Sequence, residues 1–217
     1  MSEVYELTSD SGFQCQNWVE LKTFGATGGL LGNTPLICGG FTNGNTSDTC
    51  YALNKDKATN ATTMLVKRLY STSIILDSNI LWITGGKNFE AELVHSSSEY
   101  VTVRYTSPGP ELPRPLYKHA MVSVPGDLTF VVGGVNSNGT HTDSNMTHIY
   151  NHKTERWTNG PPLNMGRVSH SAFIVTDLVT DERFVIVAGG YQKDLSLNST
   201  EILIEDRFGD RWIKGTK

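Results

Sequence analysis

A short apolar run that ends in Gly-Gly occurs four times, as PLICGG (35–40), LWITGG (81–86), TFVVGG (129–134) and VIVAGG (185–190). The first glycines stand 46, 48 and 56 positions apart, and the segment DLVTDE (177–182) accounts for the longest interval by lengthening one turn. Runs this short, rich in β-branched and aromatic residues and bounded by turn formers, read as buried strands rather than helices. Each doublet sits in the same local order. An apolar strand precedes it (STSIIL, HAMVSV, HSAFIV), and a polar loop follows it. A further strand then ends in Cys50-Tyr51, Glu99-Tyr100, Ile149-Tyr150 or Ile202-Leu203. Trp157 and Trp212 come seven to nine residues later. The Pro-rich turns GPELPRP (109–115) and GPPLNMG (160–166) occupy the connections between units. The repeat is therefore four strands in roughly 47 residues, within the usual period of radially stacked sheets.

A lone four-stranded sheet of this kind leaves apolar faces bare, so neighbouring sheets must stack to cover them. Glycine at the end of the second strand permits positive φ or close backbone approach. The tryptophans supply large apolar area, and proline fixes φ where no ladder donor is needed.

The apolar run with Gly39-Gly40, Gly85-Gly86, Gly133-Gly134 or Gly189-Gly190 resembles the kelch repeat. So do the later Tyr51, Tyr100 and Tyr150, the Trp about seven residues beyond, and the turn leading to His119 or His170. The first two repeats lack the Trp, and the turn arginine is well placed only at Arg167, with Arg114 displaced. The resemblance spans about 35–212 and implies an all-β, kelch-type β-propeller. It implies one domain over 1–217, with a blade end at 1–20 and blades at about 21–66, 67–107, 108–158 and 159–213. Trp18 falls where a blade's last strand would end, so the expectation is four complete four-stranded blades, one orphan N-terminal strand and an incomplete ring. Blade faces left bare by an open ring would favour self-association.

The chemistry is less specific. In 217 residues with a net charge of −4, no basic stripe appears, which argues against a nucleic-acid partner. No apolar run has the length of a membrane helix, so no membrane insertion is expected. Cys38 and Cys50 bracket a Gly/Asn/Thr-rich loop; adjacent antiparallel strands would bring them to bonding distance, and two half-buried thiols are the alternative. N-glycosylation sequons begin at Asn45, Asn60, Asn138, Asn145 and Asn198 and tilt the reading toward an extracellular protein, with a cytoplasmic one as the alternative. His119 and His170 hold repeat positions and read as structural. His141, His148 and His152 form the only histidine cluster, in which His148 and His152 would share a strand face; no Cys or carboxylate completes a metal set. Neither a metal nor another cofactor is expected, and no catalytic motif is present.

The kelch resemblance implies a scaffold that binds an unidentified partner protein through the loops after each doublet and the connections between blades. By position these hold Phe41, Lys87, Phe89, Arg114, His141, Arg167, Tyr191 and Lys193. The alternative on the same face is carbohydrate or small-ligand binding, or an enzyme similar to galactose oxidase.

Overall fold

The computed structural model describes residues 5–7, 15–17, 21–54, 57–77, 79–136, 142–204 and 211–215. Trp18, Asn138 and His141 lie outside the described residues. The described secondary structure is all strand and turn, without a helix. The chain divides into two compact units, Met1–Gly109 and Pro110–Lys217, each containing two four-stranded antiparallel sheets.

In the first unit the sheets run Thr27–Leu31, Thr34–Cys38, Thr49–Leu53, Ala58–Thr63 and then Thr72–Leu76, Ile80–Thr84, Ser98–Val101, Thr106–Pro108. In the second unit they run Ala120–Val124, Leu128–Val132, Thr147–Asn151, Arg156–Asn159 and then Ser171–Thr176, Arg183–Ala188, Thr200–Ile204, Ile213–Lys214. Strand order within every four-stranded sheet follows chain order, as short connections between successive strands require. The first unit also holds a pair where the sequence suggests a single outer strand. Tyr5–Leu7 and Cys15–Asn17 pair with each other as antiparallel strands.

The second strands of the second and third blades are buried on both faces, which is why they read as continuous apolar runs rather than alternating ones. Leu81, Trp82 and Ile83 are all inaccessible, and so are Phe130, Val131 and Val132. One core joins the two sheets of the first unit through Leu31, Leu36, Met64, Leu81, Ile83 and Val101. A second joins those of the other unit through Val124, Phe130, Leu163, Val187, Leu203 and Trp212. Burying each such aliphatic or aromatic side chain stabilises the fold by about 1.5–3 kcal/mol, so stacking the sheets is the main stabilising event.

All eight doublet glycines have positive φ, from +60° at Gly85 to +93° at Gly86 and Gly134. Two successive residues in this region turn the chain out of the second strand. The N–H of the first glycine donates to the carbonyl of the facing segment, as in Gly39 to Thr49 and Gly85 to Ser97. The second glycine's N–H donates to the connection leading to the next blade, Gly40 to Arg68 and Gly134 to Arg167. Within each unit the first doublet thus ends a strand and ties its sheet to the next one.

Cys38 and Cys50 face each other across the second and third strands of the first blade and form a disulfide with both residues fully buried. Tyr150 faces Trp157 across the third and fourth strands, ring centroids 4.9 Å apart. In the second blade Tyr100 faces only Ser107 on the fourth strand, and its ring instead meets Trp82, 6.1 Å away on the second. The Trp212 indole N–H donates to the Pro161 carbonyl at 2.9 Å.

Candidate functional site

Every doublet leads into a small hairpin: Phe41–Thr42 with Asn45–Thr46, Lys87–Asn88 with Leu93–Val94, Val135–Asn136 with Thr142–Asp143, and Tyr191–Gln192 with Leu195–Ser196. Each hairpin is held by the connection that enters its blade, through Phe24 with Phe41, Leu69 with Lys87, Tyr117 with Val135, and Val168 with Tyr191. The backbone, not side-chain packing alone, therefore fixes where the loop residues stand.

In the first unit this arrangement assembles aromatic side chains. Phe24 and Phe41 exchange backbone hydrogen bonds of 3.2 and 2.9 Å, and their rings lie 5.2 Å apart. Tyr70, whose N–H donates to the Gly25 carbonyl, brings its ring to 6.3 Å from Phe24. Phe89 meets Phe41 edge-on at 5.9 Å. The two neighbouring hairpins are locked together at Thr46, whose N–H donates to Glu90 Oε1 and whose hydroxyl accepts from the Phe89 N–H. Phe24 is 48% exposed and Phe89 58% exposed, and Lys87 Nζ lies 5.6 Å from the Phe89 ring centre. The result is an ordered row of rings at the surface. Phe41, Lys87 and Phe89 were legible as loop residues; Phe24 and Tyr70 were not, because they sit in the connections before the first strands.

The other expected contact residues are placed differently. Tyr191 and Lys193 are exposed on the last hairpin, beside Leu195. Arg114 is half-buried; burial first, and then the Arg114 charge, holds His148 below the usual histidine range. Arg167 is no surface contact residue. It is fully buried and pairs with Glu201 at 2.9 Å while donating to the carbonyls of Gly189 and Ser199. The guanidinium fills the turn behind a doublet, where burial without a carboxylate would be prohibitive. Arg68 does the same with Glu99, Gly85 and Ser97 in the second blade. Burial first, and then the Arg68 charge, lowers the pKa of neighbouring His95.

The histidines do not gather. His148 faces Asn159 Oδ1 at 3.2 Å on the adjacent strand, whereas His152 lies beyond the strand's end and contacts the Thr129 hydroxyl at 2.8 Å. His152 stays on the His148 side of the sheet, since its ring meets Tyr150 and Thr129, which oppose each other two positions from His148, and Asn151 Oδ1 accepts from the N–H groups of Lys153 and Thr154 in the turn that follows. Among the described residues no three His, Cys, Asp or Glu side chains converge as a metal set. Of the sequons, Asn45, Asn60, Asn145 and Asn198 are all exposed.

A profile of the kelch motif matches residues 117–164, the connection, strands and following turn of the third blade. Comparison with curated protein sequences gives no match. Among solved structures, that of YjhT superposes with a TM-score of 0.77 at 14% identity, covering 99% of this chain and 78% of that one. At that identity the likeness concerns the fold. The fold is an all-β arrangement of four-stranded antiparallel blades similar to that of YjhT, and residues 117–164 carry the kelch motif.

Proposed function

We propose that this protein is a binding module, not an enzyme, and that it holds a partner protein through the row formed by Phe24, Phe41, Tyr70 and Phe89. The observation that carries the reading is the exposure of Phe24 and Phe89 on a backbone already fixed by hydrogen bonds. Rigid aromatic side chains lose little conformational freedom on binding and bury large area, which is why they dominate interface energetics. Preorganisation lowers the ordering cost further. Lys87 adds a cation at the rim of the row, and Tyr191 with Leu195 offers a second, smaller apolar contact on the last hairpin.

The test compares proteins retained by the wild-type chain with those retained by a Phe24→Ala/Phe89→Ala variant, quantified by mass spectrometry from an extract of the native source. Proteins held specifically by the wild type should fall at least about tenfold on the variant, the loss expected for two anchor side chains. The thermal midpoint of the two chains should stay close, since both side chains are half exposed. Equal retention of every protein by the two chains overturns the reading.

A further inference from the structure

The fourth strand of each blade is a sheet edge, and among the described residues no strand pairs with its outer side. Such edges invite pairing with another chain unless charge or proline interrupts them, or a bulge twists part of the edge away. Three of the four carry such a device: Pro108 in Thr106–Pro108, Arg156 in Arg156–Asn159 and Lys214 in Ile213–Lys214. The first blade's edge, Ala58–Thr63, reads ATNATT and has neither charge nor proline. Its nearest charge in the described residues, Lys57, stands at the turn before the strand. This is also the longest of the four edges, and its β-branched threonines suit it to pairing.

What this edge does have is one bulge and, beside it in the middle of the strand, a sequon. Asn60 is exposed, Thr62 follows two residues on, and a bulge at Ala61 separates them, since Tyr51 opposes Asn60 and Cys50 opposes Thr62. The same sheet contains the buried Cys38–Cys50 disulfide, a bond characteristic of the oxidising secretory route on which lipid-linked glycans are transferred. Asn145 offers a contrast, because its side-chain amide donates inward to the Leu163 carbonyl at 3.3 Å. The exposed Asn60 amide stands on the outer strand of its sheet instead.

We infer that Asn60 carries an N-linked glycan and that this glycan guards the edge of the first blade against pairing with a second copy of the chain. In the transfer, Asn60 Nδ2 bonds to the anomeric carbon of an oligosaccharide while the bond from that carbon to a lipid diphosphate breaks. The amide loses one proton, and the diphosphate leaves with the electron pair. No oxidant or reductant is needed.

Two measurements test the inference. The first is enzymatic glycan release in heavy-oxygen water on protein from its native source, followed by tryptic mapping. The peptide 58–67 should be recovered with the isotopic mark at Asn60; recovery only as unmodified peptide overturns the assignment. The second is sedimentation of the full chain secreted from eukaryotic cells. Asn60→Gln and Thr62→Ala should each remove one step of glycan mass and convert monomer into concentration-dependent oligomers. Thr62→Ala retains Asn60, so the two variants agreeing excludes a folding defect particular to either. Asn60→Lys, which lacks the glycan but places a charge on the edge, should restore the monomer. Unglycosylated Gln and Ala variants that sediment as the wild type overturn the guarding role.

Discussion

Arg68 Nε donates to Glu99 Oε1 at 2.6 Å in a pair with 1% and 0% side-chain exposure, and the second unit builds the same pair from Arg167 and Glu201. The other two blades have neither partner. Where Arg68 and Arg167 stand, immediately before the residue that bridges to the hairpin, the first and third blades have Thr23 and Leu116. At the third-strand register of Glu99 and Glu201 they have Tyr51 and His148. The ion pair is thus present whole or absent whole, as expected if each buried charge is tolerable only with its partner. Both carboxylates also accept backbone N–H groups from the preceding connection, Leu65 for Glu99 and Asn164 with Met165 for Glu201.

Removing one partner should therefore be worse than removing both. Glu99→Gln leaves a buried guanidinium and should cost about 3–5 kcal/mol. The double change Arg68→Leu/Glu99→Gln, which puts the third blade's leucine in place of the arginine, should recover much of that loss. A double-mutant cycle by chemical denaturation reads the coupling directly; additive losses would contradict the pairing argument.

The doublet glycines give a comparison between strain alone and strain with a clash. Gly86 has φ +93°, and an added Cβ would stand 3.0 Å from Ser71 Cβ and 3.2 Å from the Leu69 carbonyl oxygen. Gly126 has φ +97° in a hairpin turn, with nothing within 4 Å of an added Cβ. Gly126→Ala should cost about 1–2 kcal/mol from backbone strain. Gly86→Ala should cost about 1–3 kcal/mol more, from overpacking. Equilibrium unfolding of the two variants checks the order.

What the sequence displays and what it conceals differ for physical reasons. The doublets are legible because positive φ selects one residue type at each position, so the signal is local. The Arg167–Glu201 pair is hidden because arginine is usually exposed and its partner lies 34 positions away. The signal that could have found it is the joint presence and absence of the two residue types across the chain's own repeats. The aromatic row is half legible. Phe41 and Phe89 follow doublets, whereas Phe24 and Tyr70 join them only through bridges between connection and hairpin that no local pattern announces.

The disulfide should contribute measurably despite its short loop. Cys38 and Cys50 are separated by 12 positions and paired directly across two strands. Constraining a loop of that size in the unfolded chain stabilises by about 3 kcal/mol. Replacing both by alanine also trims a fully buried contact in the first unit's core. The double variant should lose about 2–4 kcal/mol relative to the oxidised wild type. Denaturation with and without reductant, which should shift the wild type and leave the variant unmoved, separates the two contributions.

His170 makes the second unit sensitive to mild acid. It is 8% exposed; burial first, and then the charge of Arg167, lowers its pKa from 6.5 to about 4. Between those values the unfolded chain binds a proton that the folded chain refuses. Stability from this group is thus fully present above pH 6.5 and is lost as pH falls toward 4. The full loss is of order 3 kcal/mol, because each tenfold difference in proton affinity between folded and unfolded chains is worth about 1.4 kcal/mol. Burial also lowers the pKa values of His95, His148 and His152, so their losses run in the same direction. A His170→Gln variant should lose stability at neutral pH, yet show a shallower decline between pH 6.5 and 4. Chemical denaturation at a series of pH values reads both, and an unchanged slope would place the acid sensitivity elsewhere.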